Sequence, residues 1–226
     1  MEYRGRSNGA DERHPALGRP IRYRYSARVH ILMNVIPTEI SGAFIVEPEP
    51  VIDGRGSFAR WFDADVFEAK GLVAAFDQDS IADNVRAGTL RGMHLQQAGS
   101  PETKLVVCVR GAAFDVIVDL RDGPTFGKHI CVELAAGTWR TVYVPAGCAH
   151  GYQTRQDCTT LLYRIAGRYA PRASGGVRWN DPALAIPWPL EVTAISERDR
   201  QLPLLEEYSA AALPPAESSR AEQRVR

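Results

Sequence analysis

The 226-residue sequence has no excess of either charge: 27 Lys and Arg stand against 27 Asp and Glu. That excludes the broad basic field on which sequence-independent nucleic-acid binding rests. It also has no cysteine pair at C-x-x-C spacing. Its cysteines, Cys108, Cys131, Cys148 and Cys158, are well separated, and three of them lie in apolar, strand-like surroundings. They read as reduced core thiols rather than a zinc site or a disulfide framework. No apolar run approaches the length of a membrane span. The stretch from Val29 to Val35 is short and broken by His30 and Asn34, so it does not read as a signal peptide. These absences describe a soluble, cytoplasmic protein with neither a nucleic-acid nor a membrane partner.

What is present supports one folded domain. Hydrophobic residues make up 45% of the chain, and the length suffices for a real core. Residues 1–35 read as a disordered, arginine-rich tail, with Arg4, Arg6, Arg13, Arg19, Arg22, Arg24 and Arg28 and no apolar periodicity. Residues 36–208 read as the domain. Residues 209–226, rich in Ala, Pro, Glu, Ser and Arg, read as a second disordered tail.

Within the domain, short apolar runs are cut by turn residues. Ala43–Val46, Ser57–Phe62, Lys104–Val109, Ala113–Leu120, His129–Leu134, Thr141–Val144 and Thr159–Ala166 are expected strands. Asp53-Gly54-Arg55-Gly56 is an expected turn. Asp63–Ala69 is the one helix-like piece, with Asp63 as N-cap and Gly71 as stop. Strands at this spacing predict an all-β antiparallel sandwich or barrel with a few short helices. Lys104, Val106 and Cys108 would share one strand face, as would Asp115, Ile117 and Asp119, and Leu161, Tyr163 and Ile165. Polar groups in such company suit a ligand-lined lumen. They also suit a solvent face, and for any single strand that is the safer reading.

The chemistry centres on Leu90-Arg91-Gly92-Met93-His94-Leu95-Gln96. Pro145-x-Gly147-x-x-His150 resembles the second motif of the cupin superfamily. The metal-binding form of the first cupin motif needs a histidine pair and a glutamate. His94-Leu95-Gln96 lacks one ligand, and two histidines without a carboxylate make a poor metal set. The alternative is acid–base work. A histidine titrates near neutrality, at about pH 6.5 when unperturbed. It needs a carboxylate to fix its tautomer. A tyrosine can act as the opposing acid and a lysine can hold charge developing on oxygen. His94, an aspartate, Tyr163 and Lys104 would form such a set. Spacing alone does not bring them together, and by itself it favours three unrelated residues: His94 at a strand end, Tyr163 in the core, Lys104 on the surface.

A series of motifs in order adds a resemblance. Arg91 to Gln96, Lys104-Leu105-Val106, Phe114 to Arg121, Pro124-Thr125-Phe126-Gly127 and Pro145 to Tyr152 are followed by Tyr163 with Tyr169, Trp179-Asn180-Asp181-Pro182 and Ser196-Glu197-Arg198-Asp199. The series resembles the dTDP-4-dehydrorhamnose 3,5-epimerase family over about residues 36 to 206. The resemblance implies a cupin-type double-stranded β-helix, or jelly-roll barrel. It also implies an isomerase that needs neither cofactor nor metal, works on a nucleotide-sugar substrate and forms a homodimer. In it His94 corresponds to the base, Asp199 to its carboxylate partner, Tyr163 to the acid and Lys104 to the lysine near the sugar's C4 oxygen. His150 and Asp115 correspond to a second pocket pair. Arg55, Phe58, Gln78, Arg91, Tyr169 and Arg198 correspond to substrate contacts, Tyr169 stacking on the thymine. Arg60, Ser80 and Ser174 depart from the family's usual Glu, Asn and Glu. An enzyme inverting C3 alone or C5 alone in another deoxysugar pathway therefore stays open, as does a non-catalytic sugar-binding cupin. In a regular strand, Arg91 and His94 would face opposite ways; if both reach one pocket, Gly92 must bend the backbone.

Overall fold

The computed structural model describes residues 33–97 and 99–208. Residues 1–32 of the expected N-terminal tail and all of the expected C-terminal tail at 209–226 lie outside the described residues, whereas 33–35 belong to the first strand. β1 (Met33–Pro37) and β2 (Phe44–Pro48) are followed by β3 (Val51–Asp53) and β4 (Gly56–Phe58). Helix α1 (Ala64–Ala69) leads to β5 (Gln78–Asn84), β6 (Leu90–Gln96), β7 (Thr103–Arg110) and β8 (Ala112–Asp119). Then come β9 (His129–Ala135), β10 (Thr141–Val144), β11 (Cys148–Thr154), β12 (Thr159–Ala166) and β13 (Ser174–Gly176), with helix α2 (Glu197–Arg200) near the end. β1 begins three residues before the expected domain boundary at 36.

Two antiparallel sheets face each other. One runs β1-β2-β10-β7-β12-β5 and the other β13-β6-β11-β8-β9. From β5 to β13 the chain changes sheet at every step except the β8–β9 hairpin, which is the winding of a cupin jelly roll. The winding leaves a lumen between the sheets. Val106, Cys108, Ile117, Val142, Val144, Tyr152 and Leu161 fill it as one apolar cluster. The central strands are buried on their outer faces as well. Leu105 and Tyr143 pack outward against Phe67 of α1. Met93, Leu95, Val116 and Val118 pack outward against Val177, Leu184 and Trp188 of the C-terminal segment. Burial on both faces explains why these strands read as unbroken apolar runs.

Helix α1 follows its local signals. The Asp63 carboxylate accepts from Asp65 N and Val66 N. Leu72 N donates to Phe67 O and Gly71 N to Glu68 O, closing the helix with Gly71 at a φ of 70°. The expected strand Ser57–Phe62 is shorter than predicted, because β4 ends at Phe58. Beyond it Arg60 pairs with Asp63 at 2.6 Å, so the chain is already turning into the helix cap. The cysteine reading also needs correction. Cys108 and Cys148 are buried, but Cys131 and Cys158 are exposed. Cys131 occupies an outward position of β9, between Ile130 and the buried Val132.

Candidate active site

His94 sits on β6 opposite His150 of β11. Further along, Arg91 lies opposite Tyr152, so β6 spends three residues where β11 spends two. This is a bulge, and Gly92 makes it, with a φ of 144°. Gly92 and Gly151 lie back to back across the two strands. A Cβ on Gly92 would come within 2.6 Å of Gly151 Cα. The bulge cancels the strict alternation of the strand. His94 and Arg91 therefore share the lumen face with His150 and Tyr152, as the glycine argument required.

Asp199 reaches His94 from 105 residues away. Its Oδ1 is 2.7 Å from His94 Nε2, and its Oδ2 accepts from Gly92 N at 3.1 Å. Asp199 is only 4% exposed. Burial alone would raise its carboxyl, but hydrogen bonds from His94, Gly92 and Ser196 outweigh that and hold it below the usual carboxylate range. An ionised Asp199 makes Nε2 the donor and leaves Nδ1 of His94 as the basic nitrogen. The aspartate is delivered by α2, whose Ser196 side chain caps Asp199 N. In a full capping box the acidic side chain would turn back to the cap residue; here it turns to the histidine. The segment carrying α2 is laced to the barrel, where Leu90 N donates to Ala194 O and Leu190 N to Gln153 Oε1, and to itself, where Arg178 Nε donates to Leu202 O and Trp188 Nε1 to Trp179 O.

A second pair lies beside the first. His150 Nε2 is 2.8 Å from Asp115 Oδ2, with both side chains buried. Tyr163 of β12 meets the His150 ring edge-on, with centroids 5.8 Å apart. Burial, followed by the nearby Tyr152 and Asp115, pushes the Tyr163 phenol well above its ordinary value. It holds its proton at neutral pH. Lys104 of β7 donates to His94 O at 3.2 Å and pairs with Glu102 at 2.9 Å. His94, Asp199, Tyr163, Lys104, Asp115 and His150 thus converge at one end of the lumen.

The expected substrate contacts are spread around this centre. Gln78 donates from Nε2 to Gly167 O, and Arg91 from Nε to Asn84 Oδ1. Arg198 donates to Ser174 Oγ, one of the departing positions. Tyr169 is 61% exposed just beyond β12. Arg55 and Phe58 are not brought to this centre within one chain. Arg55 pairs with Asp53 at the tip of the β3–β4 hairpin, and Phe58 is 65% exposed. Glu102, Asn84, Tyr152 and Ser196 have no site role in the sequence reading, although Tyr152 and Ser196 lie within its motif series. Only Ser196 carried a local signal there, as a serine three residues before an acidic residue. Among the described residues no group of three or more His, Cys, Asp or Glu side chains is placed to hold a metal ion.

Comparison with known proteins supplies the family. The family model of dTDP-4-dehydrorhamnose 3,5-epimerase matches residues 37–207. The enzyme of that name from Methanothermobacter thermautotrophicus is 40% identical over 169 residues, covering 73% of this chain and 90% of its own. A dTDP-4-dehydrorhamnose 3-epimerase from Streptomyces niveus is 40% identical over 185 residues, covering 81% and 89%. The crystal structure of the Legionella pneumophila 3,5-epimerase in complex with dTDP-4-keto-L-rhamnose superimposes with a TM-score of 0.75 at 34% identity, covering 83% of this chain and 100% of that one. With its jelly roll, its paired histidines and these relatives, the chain belongs to the dTDP-4-dehydrorhamnose 3,5-epimerase family of isomerases.

Proposed function

We propose that the protein epimerises a nucleotide-linked 4-keto-6-deoxyhexose at C3 and C5, taking dTDP-4-dehydro-6-deoxy-D-glucose to dTDP-4-dehydro-L-rhamnose, in dTDP-L-rhamnose and surface polysaccharide synthesis. The observation that carries this is the His94–Asp199 dyad, which shares one lumen with a protonated tyrosine and a lysine. The C–H bonds at C3 and C5 are acidic because losing either proton gives an enolate on the C4 oxygen. His94 removes the proton through the nitrogen that Asp199 leaves free. The Lys104 ammonium stabilises the enolate oxygen. Tyr163 returns a proton to the opposite face, and the centre inverts. The histidine's extra proton then leaves to solvent and the phenolate regains one, so the enzyme is unchanged. No electrons are transferred at any step.

Wash-in of solvent deuterium at C3 and C5 tests the reading. Absence of exchange at both carbons, with the nucleotide sugar bound, would sink it. A second reading, inversion at C3 alone or at C5 alone, rests on Arg60, Ser80 and Ser174, which depart from the residues that the family resemblance implies. Exchange confined to one carbon would select it.

The working unit in this reading is a homodimer. The β3–β4 hairpin pairs with itself and with neither main sheet. It exposes Val51, Ile52 and Phe58. A lone two-stranded hairpin is marginal in water, so a second copy is a natural cover for it. Its Arg55 and Phe58 would then reach the partner's sugar site, as the family resemblance implies.

A further inference from the structure

Glu102 takes no part in the proton transfers, yet the fold builds it into the site. It stands two residues before Lys104 at the entry to β7, the spacing that puts two side chains on one face of extended chain. Its Oε1 is 2.9 Å from Lys104 Nζ, and the two side chains are only 11% and 10% exposed. The end of β12 holds the backbone that carries it. Ala166 pairs with Thr103, and Gly167 follows at a φ of 109°. A Cβ on Gly167 would come within 2.5 Å of Pro101 O and 3.3 Å of Glu102 Cα, so only a glycine lets the chain close there. An ammonium has three protons to give. Lys104 gives one to Glu102, and another reaches His94 O on the facing sheet at 3.2 Å. Among the described residues no acceptor takes the third. Two anchors on opposite sheets fix both the nitrogen and its rotation about the Cε–Nζ bond. The third N–H therefore has one direction left.

We propose that Glu102 is a positioning residue for Lys104: by taking one ammonium proton it aims another at the C4 oxygen of the substrate, where the enolate charge develops. The proposal rests on the reading of Lys104 as the group that stabilises the enolate. The carboxylate also offsets the cost of burying the ammonium before substrate arrives. Without it the nitrogen keeps a single anchor, His94 O, and its protons sample several directions. Stabilisation of this kind depends on donors already aimed at the developing charge, so that freedom slows the reaction. No bond forms or breaks at Glu102 and no proton changes owner there.

Wild-type protein is measured first, for deuterium exchange and for inversion of the 4-keto sugar. Absence of both counts against the epimerase reading, and the role of Glu102 goes with it. If the wild type epimerises, Glu102→Ala should slow exchange and inversion together, because both pass through the enolate. The fall should be roughly tenfold to a hundredfold, the loss typical of a misplaced catalytic group. KM should stay within about threefold, since the contact matters most in the transition state. Glu102→Gln keeps an acceptor at the same reach and should return both rates to within about fivefold of wild type. Wild-type rates in Glu102→Ala, a fall in inversion with exchange intact, or a Gln variant as slow as the Ala variant would overturn the proposal. Should the variants lose their cooperative thermal transition, wild-type NMR decides. The Lys104 ammonium nitrogen must show a coupling across the hydrogen bond to the Glu102 carboxylate carbon, and its absence also overturns the proposal.

Discussion

At the scale of single residues the site depends on which proton each group holds. His94→Ala should abolish exchange at both carbons, because it removes the base, while the neighbouring His150 keeps its own partner in the buried Asp115. Tyr163→Phe should retain exchange at C3 or C5 while inversion falls by on the order of a hundredfold to ten-thousandfold. Equal loss of both would refute the assignment of base and acid, and solvent-deuterium NMR reads both on one sample. Asp119 shows the same physics outside the site. Burial would raise its carboxyl, but hydrogen bonds from Arg121 and Thr125 hold it at about 2, against an ordinary 3.8. Its side chain is 2% exposed. A shift of this size contributes about 2 kcal/mol of stability. Because the folded value is depressed, the contribution is whole above pH 3.8 and fades as the pH falls toward 2. Asp119→Asn should lower urea stability by about that amount at pH 7, and the difference from wild type should shrink below pH 4. Asp199 is also depressed, so its His94 contact contributes with the same sign.

At the scale of elements the critical features are the bulge in β6 and the segment that brings α2 to it. Gly92 combines a φ of 144° with close approach to Gly151. Gly92→Ala meets both obstacles and should destabilise the fold by more than about 1 kcal/mol. It should cost activity beyond that, because prying β6 from β11 re-aims His94 and displaces the residue 92 amide that donates to Asp199. Circular dichroism melts beside exchange rates separate the two losses. Trp188 is the anchor of the C-terminal segment. It packs on Phe114 with ring centroids 6.0 Å apart and donates to Trp179 O at 2.8 Å. It is partly buried, so Trp188→Ala should cost about 2 kcal/mol, below the range for a fully buried ring. Hydrogen exchange should then rise first in α2, and kcat should fall with the loosening of Asp199.

At the scale of the whole molecule the proposed homodimer rests on the exposed β3–β4 hairpin. Ile52→Asp on the exposed hairpin should convert a dimer into a monomer in light scattering. Thermal stability of the barrel should change by less than about 1 kcal/mol, since Ile52 packs on neither main sheet. Activity should fall with dimer content if Arg55 and Phe58 serve the other copy's site. A fully active monomer would remove the hairpin from the mechanism.

The sequence by itself determined the β character, the long apolar strands and helix α1. These follow from local rules: alternation, β-branched runs, an aspartate cap and a glycine stop. It also carried the motif series that identifies the family. It showed poorly those strands that are built to hold polar groups. β5 reads Gln-Asp-Ser-Ile-Ala-Asp-Asn, and β11 carries His150, Gly151 and Gln153, so neither has the expected pattern, although β11 is buried throughout. β5 is an edge strand with Asp79, Ser80 and Asp83 toward solvent, while His150 and Gln153 of β11 find their partners in Asp115 and in the Leu190 backbone, which no window of residues can see. Arg91 and His94 illustrate the division. Strand periodicity sets them on opposite faces, and the glycine between them permits the exception without requiring it. Only pairing with β11 produces the bulge. Likewise, a serine before an acidic residue can suggest a helix cap. Only the fold brings that carboxylate to a histidine 105 positions earlier, because the outer face of the β6 sheet needs an apolar cover and the segment that covers it carries Asp199.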